Sequence, residues 1–166
     1  ALDEIKVRMQ NNAERILMNF DSYPSVIAWG LASGVLENTP EFQNYSAHLA
    51  GIFRQSSEKM IYKETFLGSQ SLNTKHYDFV CVKFKQQALD FKYLKEELSR
   101  MKSLAGETPL VCTFGRSIQP HNHNGFSDPV SLEAQAHFIQ NSYRLSRLQS
   151  TSGSIVWSFN DYALQN

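Results

Sequence analysis

Residues 24–34 read PSVIAWGLASG, and Thr39-Pro40-Glu41 follows shortly after. The first stretch is a proline turn and an apolar run with the composition of a buried strand. The second is a helix start: a threonine cap, proline at the first helical position and an acidic first turn ahead of FQNYSAHLAGIFRQ. A strand that runs straight into a helix is the unit from which parallel sheets are built, because parallel neighbours need a crossover connection. Polar groups that do chemistry in such folds stand at the C-terminal tips of the strands. This tip offers only Ala32, Ser33 and Gly34.

The same rhythm extends through the chain. Apolar strand-like runs fall at 25–31 (SVIAWGL), 59–63 (KMIYK), 78–84 (DFVCVKF), 109–114 (PLVCTF) and 154–159 (SIVWSF). Helix-period segments lie between most of them. A leading helix carries Ile5, Met9, Ala13, Ile16, Leu17 and Phe20 on one face, and two more are predicted over Asp90–Leu104 and Ser131–Leu148. The last opens with Asp128-Pro129 and then Ser131-Leu132-Glu133, a strong helix start. Strands apolar on both faces and separated by helices predict an α/β fold: five parallel strands with covering helices. No glycine-rich phosphate loop follows any strand, and Gly30 to Gly34 has neither dinucleotide nor Walker spacing. The longest irregular stretch, GRSIQPHNHNGFSDP at 115–129, is long enough to suggest a function of its own.

Composition narrows the classes further. At 166 residues, 42% apolar and 19% charged, the chain reads as one globular domain spanning 1–166. Sixteen basic residues balance sixteen acidic ones, so no overall field recruits nucleic acid or an anionic membrane. The lysines of KFKQQALDFKYLK at 83–95 alternate with apolar residues and read as a solvated face. No stretch approaches the roughly 20 apolar residues of a membrane span. Cys81 and Cys112 both lie in apolar runs and read as buried free thiols. No motif calls for a cofactor. The chain opens inside a helix without an initiator methionine, which reads as a piece processed or excised from a longer protein.

Four phrases of this sequence together resemble the (β/α)8 catalytic barrel of glycoside hydrolase family 2, the β-galactosidases, β-glucuronidases and β-mannosidases. YPSVIAWGLASG at 23–34 is similar to that family's fourth-strand phrase, His-Pro-Ser-Val-Ile followed by Trp-Ser-Leu-Gly-Asn-Glu. LVCTFG at 110–115 resembles the seventh-strand Ser-Glu-Phe-Gly or Ser-Glu-Tyr-Gly phrase, and GFSDPVSLEAQAHFI at 125–139 the stretch after it. GSIVWSFNDY at 153–162 is similar to the last strand, with its Trp-x-Phe-x-Asp ending. The resemblance implies a partial TIM-type barrel, strands four to eight, with the first three strands absent. Retaining hydrolases of this kind place an acid/base and a nucleophilic carboxylate about 5–5.5 Å apart. Laid residue by residue, the acid/base falls on Gly34, its neighbouring asparagine on Ser33 and the nucleophile on Thr113. Neither carboxylate is present.

The resemblance therefore implies a catalytically degenerate glycoside-hydrolase-like domain, a carbohydrate-binding remnant or an assembly module. Two rivals stand beside it: an active O-glycosyl hydrolase using relocated rim carboxylates, Glu64 and Asp161, and a purely structural scaffold. Glu37 is the remaining carboxylate placed near the rim. Trp157, Arg116, Asn160 and Asp161 are the candidate sugar-binding residues, since aromatic faces suit apolar pyranose C–H faces and arginine suits hydroxyls or carboxylates. Trp29, in mid-strand, reads as core. His121 and His123 lack an evident third ligand for a metal, and His48 and His137 fall within helices. Five parallel strands do not close a barrel, so the runs at 25–31 and 154–159 are expected to present open edges. The leading helix, a second copy or missing barrel strands would cover them.

Overall fold

The computed structural model describes residues 2–33, 39–84 and 90–156. In chain order the elements are α1 (Leu2–Phe20), β1 (Ala28–Ser33), α2 (Pro40–Ser56), β2 (Met60–Phe66), β3 (Phe79–Lys83), α3 (Phe91–Ala105), β4 (Leu110–Phe114), α4 (Leu132–Leu148) and β5 (Gly153–Val156). The strands form one sheet in the order β1-β2-β3-β4-β5. Every pairing is parallel. This is the predicted α/β architecture, a partial barrel in which each strand lies beside its predecessor.

The helices begin where side chains satisfy the first free amides. Thr39 Oγ1 accepts from Phe42 N at 3.2 Å, Asp90 Oδ1 from Lys92 N at 2.8 Å, and Ser131 Oγ from Ala134 N at 3.0 Å. Gly106, at φ +61, ends α3 in a backbone region that favours glycine.

Two strand boundaries differ from expectation. β1 starts at Ala28 because the preceding residues are used in turns: Asp21 N donates to Leu17 O and Val26 N to Tyr23 O. β2 runs on to Phe66, since Thr65 and Phe66 suit a strand as well as the residues before them. Glu64 is thereby placed within β2 rather than past its end. The β2–β3 connection contains no helix. Leu67 and Tyr77 are buried there and Leu72 is partly buried, and both leucines join the cluster that a crossover helix would otherwise cover.

Alternation along the strands divides the sheet into two faces. Ile61, Lys63 and Thr65, Val80 and Val82, and Leu110, Cys112 and Phe114 are all buried on the side of the helices. One cluster there gathers Val80, Val82, Leu98, Met101, Cys112, Phe114 and Leu145 among others from β3, β4, α3 and α4. A second joins Ala13 and Leu17 of α1 to Leu49, Ala50 and Phe53 of α2, with Trp29 and Leu31 of β1 against it. The leading helix thus packs on the helix-bearing side. The opposite face is only partly covered by the described residues: Met60 is 47%, Phe66 39% and Ile155 47% exposed. Cys81 and Cys112 are free and buried, as predicted, and sit on opposite faces of neighbouring strands.

Candidate functional site

The partly open face gathers its polar groups toward the C-terminal ends of the strands. Register sets Ser33 beside Glu64, Glu64 beside Cys81 and Cys81 beside Val111. One step further toward the rim, Phe66, Lys83, Thr113 and Ile155 form the next row. Ser33 Oγ donates to Glu64 Oε2 at 2.6 Å, and Lys83 Nζ lies 3.7 Å from the same oxygen. Glu64 is the only carboxylate on the described strands. Its side chain is 20% exposed and that of Lys83 34%, so both are within reach of solvent.

Aromatic rings lie next to these charges. Tyr62 and Phe79 stack with centroids 5.0 Å apart and planes 12° from parallel. Burial raises the Tyr62 phenol above its usual value, with smaller contributions from Cys81 and Glu64. Gly30 makes room for the tyrosine, because a Cβ there would stand 2.8 Å from Tyr62 Cζ. A cavity of about 370 Å³ opens between these residues, lined by Gly30, Leu31, Ala32, Ser33, Tyr62 and Glu64. A smaller one, about 240 Å³, lies between α1 and α2 against Met9, Tyr45 and Leu49, away from the rim chemistry.

Thr113 is 4% exposed, and its Oγ1 has no hydrogen-bond partner of ordinary geometry. The neighbouring Cys81 thiol is pushed up to about 11 by burial, which outweighs the downward pull of a hydrogen bond with the Thr113 hydroxyl; Glu64 and Cys112 add to the rise. A thiol so held is a poor nucleophile at neutral pH.

Thr113 and Glu64 therefore occupy the same face and the same end of the sheet, separated by β3. Gly34, Glu37, Trp157, Asn160 and Asp161 lie outside the described residues. Arg116 serves the 115–131 loop: its Nε donates to Pro129 O at 2.7 Å, its guanidinium stands 5.9 Å from the Phe138 ring, and Gln135 donates to its carbonyl. In the same loop Asp128 accepts from Asn122 and Asn124, and these bonds hold its carboxyl below the usual range. His123 Nδ1 lies 3.1 Å from Glu133 Oε1. No group of three or more metal-ligating side chains occurs among the described residues. Trp29 is a core residue, its Nε1 donating to Asp21 Oδ1 at 2.9 Å. Sequence reasoning placed Ser33 at the strand tip but missed Lys83, Tyr62 and Phe79 as site neighbours. The signal was present in the alternation of KMIYKETF and DFVCVKF, which puts Tyr62 and Glu64 on the face of Phe79, Cys81 and Lys83.

No family model and no curated protein sequence matches the chain. Solved structures do. A β-glucuronidase of Ruminococcus gnavus superposes with a TM-score of 0.80 at 17% identity, over 95% of this chain and 30% of that one. A β-glucuronidase of Faecalibacterium prausnitzii gives 0.74 at 17% identity, over 92% of this chain and 29% of its own. One of Lactobacillus rhamnosus gives 0.77 at 16% identity, over 94% and 29%. The chain thus shares its partial-barrel fold with bacterial β-glucuronidases and spans about three tenths of their length. No described helix is long and apolar enough to cross a membrane.

Proposed function

We propose that this chain is a catalytically degenerate glycoside-hydrolase-like domain that holds carbohydrate at the strand rim without cleaving it. The observation that carries the reading is Thr113. It stands where the resemblance puts the nucleophile, its buried hydroxyl beside the Cys81 thiol and without a basic partner of ordinary hydrogen-bond geometry. A threonine nucleophile needs a base to take its proton. A two-carboxylate mechanism needs a pair, and the described strands supply Glu64 alone. Glu64 is engaged by Ser33 and Lys83, an arrangement suited to binding hydroxyls. Gly34, at the position to which the resemblance assigns the acid/base, has no side-chain proton to give.

Purified chain should release no p-nitrophenol above buffer from the β-D-glucopyranoside, β-D-galactopyranoside, β-D-mannopyranoside or β-D-glucuronide. Steady release that Glu64→Gln or Asp161→Asn abolishes would overturn this reading and establish a hydrolase with relocated carboxylates.

A second, compatible role is assembly, which the exposure of Met60, Phe66 and Ile155 favours. Parallel sheets are usually covered on both faces. In this reading 1–166 is one module of a longer protein, and further β/α units or a second copy cover the open face. Light scattering that finds a monomer at all concentrations, with no binding of a hydrophobic dye, would remove the assembly role.

A further inference from the structure

The sugar-binding reading leaves the class of sugar open, and the inference that follows rests on that reading. We infer that the Ser33–Glu64–Lys83 cluster, with Tyr62 and Phe79 beside it, selects a neutral pyranoside over an acidic one. The cavity of about 370 Å³ has the volume of a small-ligand site, and Ser33, Tyr62 and Glu64 all line it. A carboxylate has room for about four hydrogen bonds. Ser33 and Lys83 both approach Oε2, and Oε1 is the oxygen that would receive sugar hydroxyls. The Tyr62–Phe79 pair is an apolar surface beside these acceptors, the combination a pyranose presents in reverse: hydroxyls at its edge and C–H groups on its faces.

Charge then decides between sugars of equal size. Lys83, 3.7 Å from Glu64, offsets part of its charge, but Glu64 and not Lys83 lines the cavity. A uronate carboxylate entering this cavity would face Glu64 while the nearby ammonium is already engaged. Among the described residues no other cation is offered to that face from a strand, because Lys63 is buried on the helix side and Arg116 is fastened to Pro129 and lies over Phe138. A neutral ring meets no such repulsion.

The test is a calorimetric titration of the full chain with methyl β-D-glucopyranoside and with methyl β-D-glucuronoside, which differ only at C6. The neutral glycoside should bind about tenfold more tightly, a penalty between that of a like-charge pair in bulk water and that of an unscreened pair near a protein surface, because Lys83 offsets part of the Glu64 charge. Glu64→Gln removes the repulsion and releases Lys83, so it should weaken the neutral ligand and invert the preference. Lys83→Met should lower uronide affinity further, and circular dichroism would check that both variants keep the fold. Equal or tighter uronide binding by the unaltered chain, or a preference that Glu64→Gln leaves unchanged in a folded variant, would overturn the inference while sparing sugar binding. No heat from either glycoside at tens of millimolar would overturn both.

Discussion

Replacing Gly30 with alanine is expected to destabilise the sheet beside the cavity. The new Cβ would lie 2.8 Å from Tyr62 Cζ and 2.9 Å from its hydroxyl oxygen, several tenths of an ångström inside ordinary contact. The ring of Tyr62 must shift to admit it, and that shift disturbs its stacking on Phe79. Overpacking of this kind costs about 1–3 kcal/mol. Against it stands a gain of about 0.4–1 kcal/mol, since alanine restricts the unfolded chain and the Gly30 backbone is not left-handed. The steric cost wins, leaving a net loss of about 1–2 kcal/mol and a fall in Tm of roughly 2–8 °C for a domain of this size. Thermal melts followed by circular dichroism, with urea titrations alongside, would measure it. The cycle with Tyr62→Ala isolates the cause: once the ring is gone, Gly30→Ala should become neutral or stabilising. A single Gly30→Ala variant as stable as the parent would refute the packing argument.

Three further outcomes follow from neighbouring residues. Thr113→Val replaces a buried hydroxyl, weakly held by the Cys81 thiol, with a methyl of similar shape and should raise stability by at most about 1 kcal/mol, read as an equal or higher urea midpoint at unchanged slope. Cys81 and Cys112 should resist a thiol reagent at neutral pH in the native chain and react fully in denaturant, because burial pushes both thiols above their usual range. Burial alone would raise the Asp78 carboxyl, but hydrogen bonds from Arg54 at 2.6 Å and from the Ile61 amide at 2.7 Å outweigh it and hold the group below its usual value. Its contribution to stability is therefore present above the unfolded carboxyl value of about 3.9 and lost as pH falls through the lower folded one. The urea midpoint should decline in that window, and Asp78→Asn should flatten the decline.

The helices were legible because their signals are local. Thr39, Asp90 and Ser131 each cap the helix that begins at the next residue. Strand positions were legible from apolar runs, but β1 was displaced by the hydrogen-bonded turns around Tyr23, which leave no periodic trace. The helix-free β2–β3 crossover depends on Leu67 and Leu72 filling space left by other elements, a tertiary fact. At the rim, Glu64 and Thr113 could be placed from sequence. The Ser33–Glu64–Lys83 association could not, because it depends on register across three strands, and a one-residue slip would turn Glu64 to the helix side. Arg116 looked like a rim residue by its position after Phe114-Gly115. Its bond to Pro129 comes from the path of the 115–131 loop, which periodicity does not encode.

One NMR experiment tests binding and inertness together. Methyl β-D-glucopyranoside would be mixed with the purified chain, saturation transfer from protein to sugar recorded at once, and the anomeric proton signal integrated over several days. The account predicts transfer to the pyranose C–H protons, weakened by Glu64→Gln, with an anomeric signal that never decays faster than in buffer. Appearance of free glucose at a rate proportional to protein concentration, or absence of any transfer from the intact chain, would contradict it.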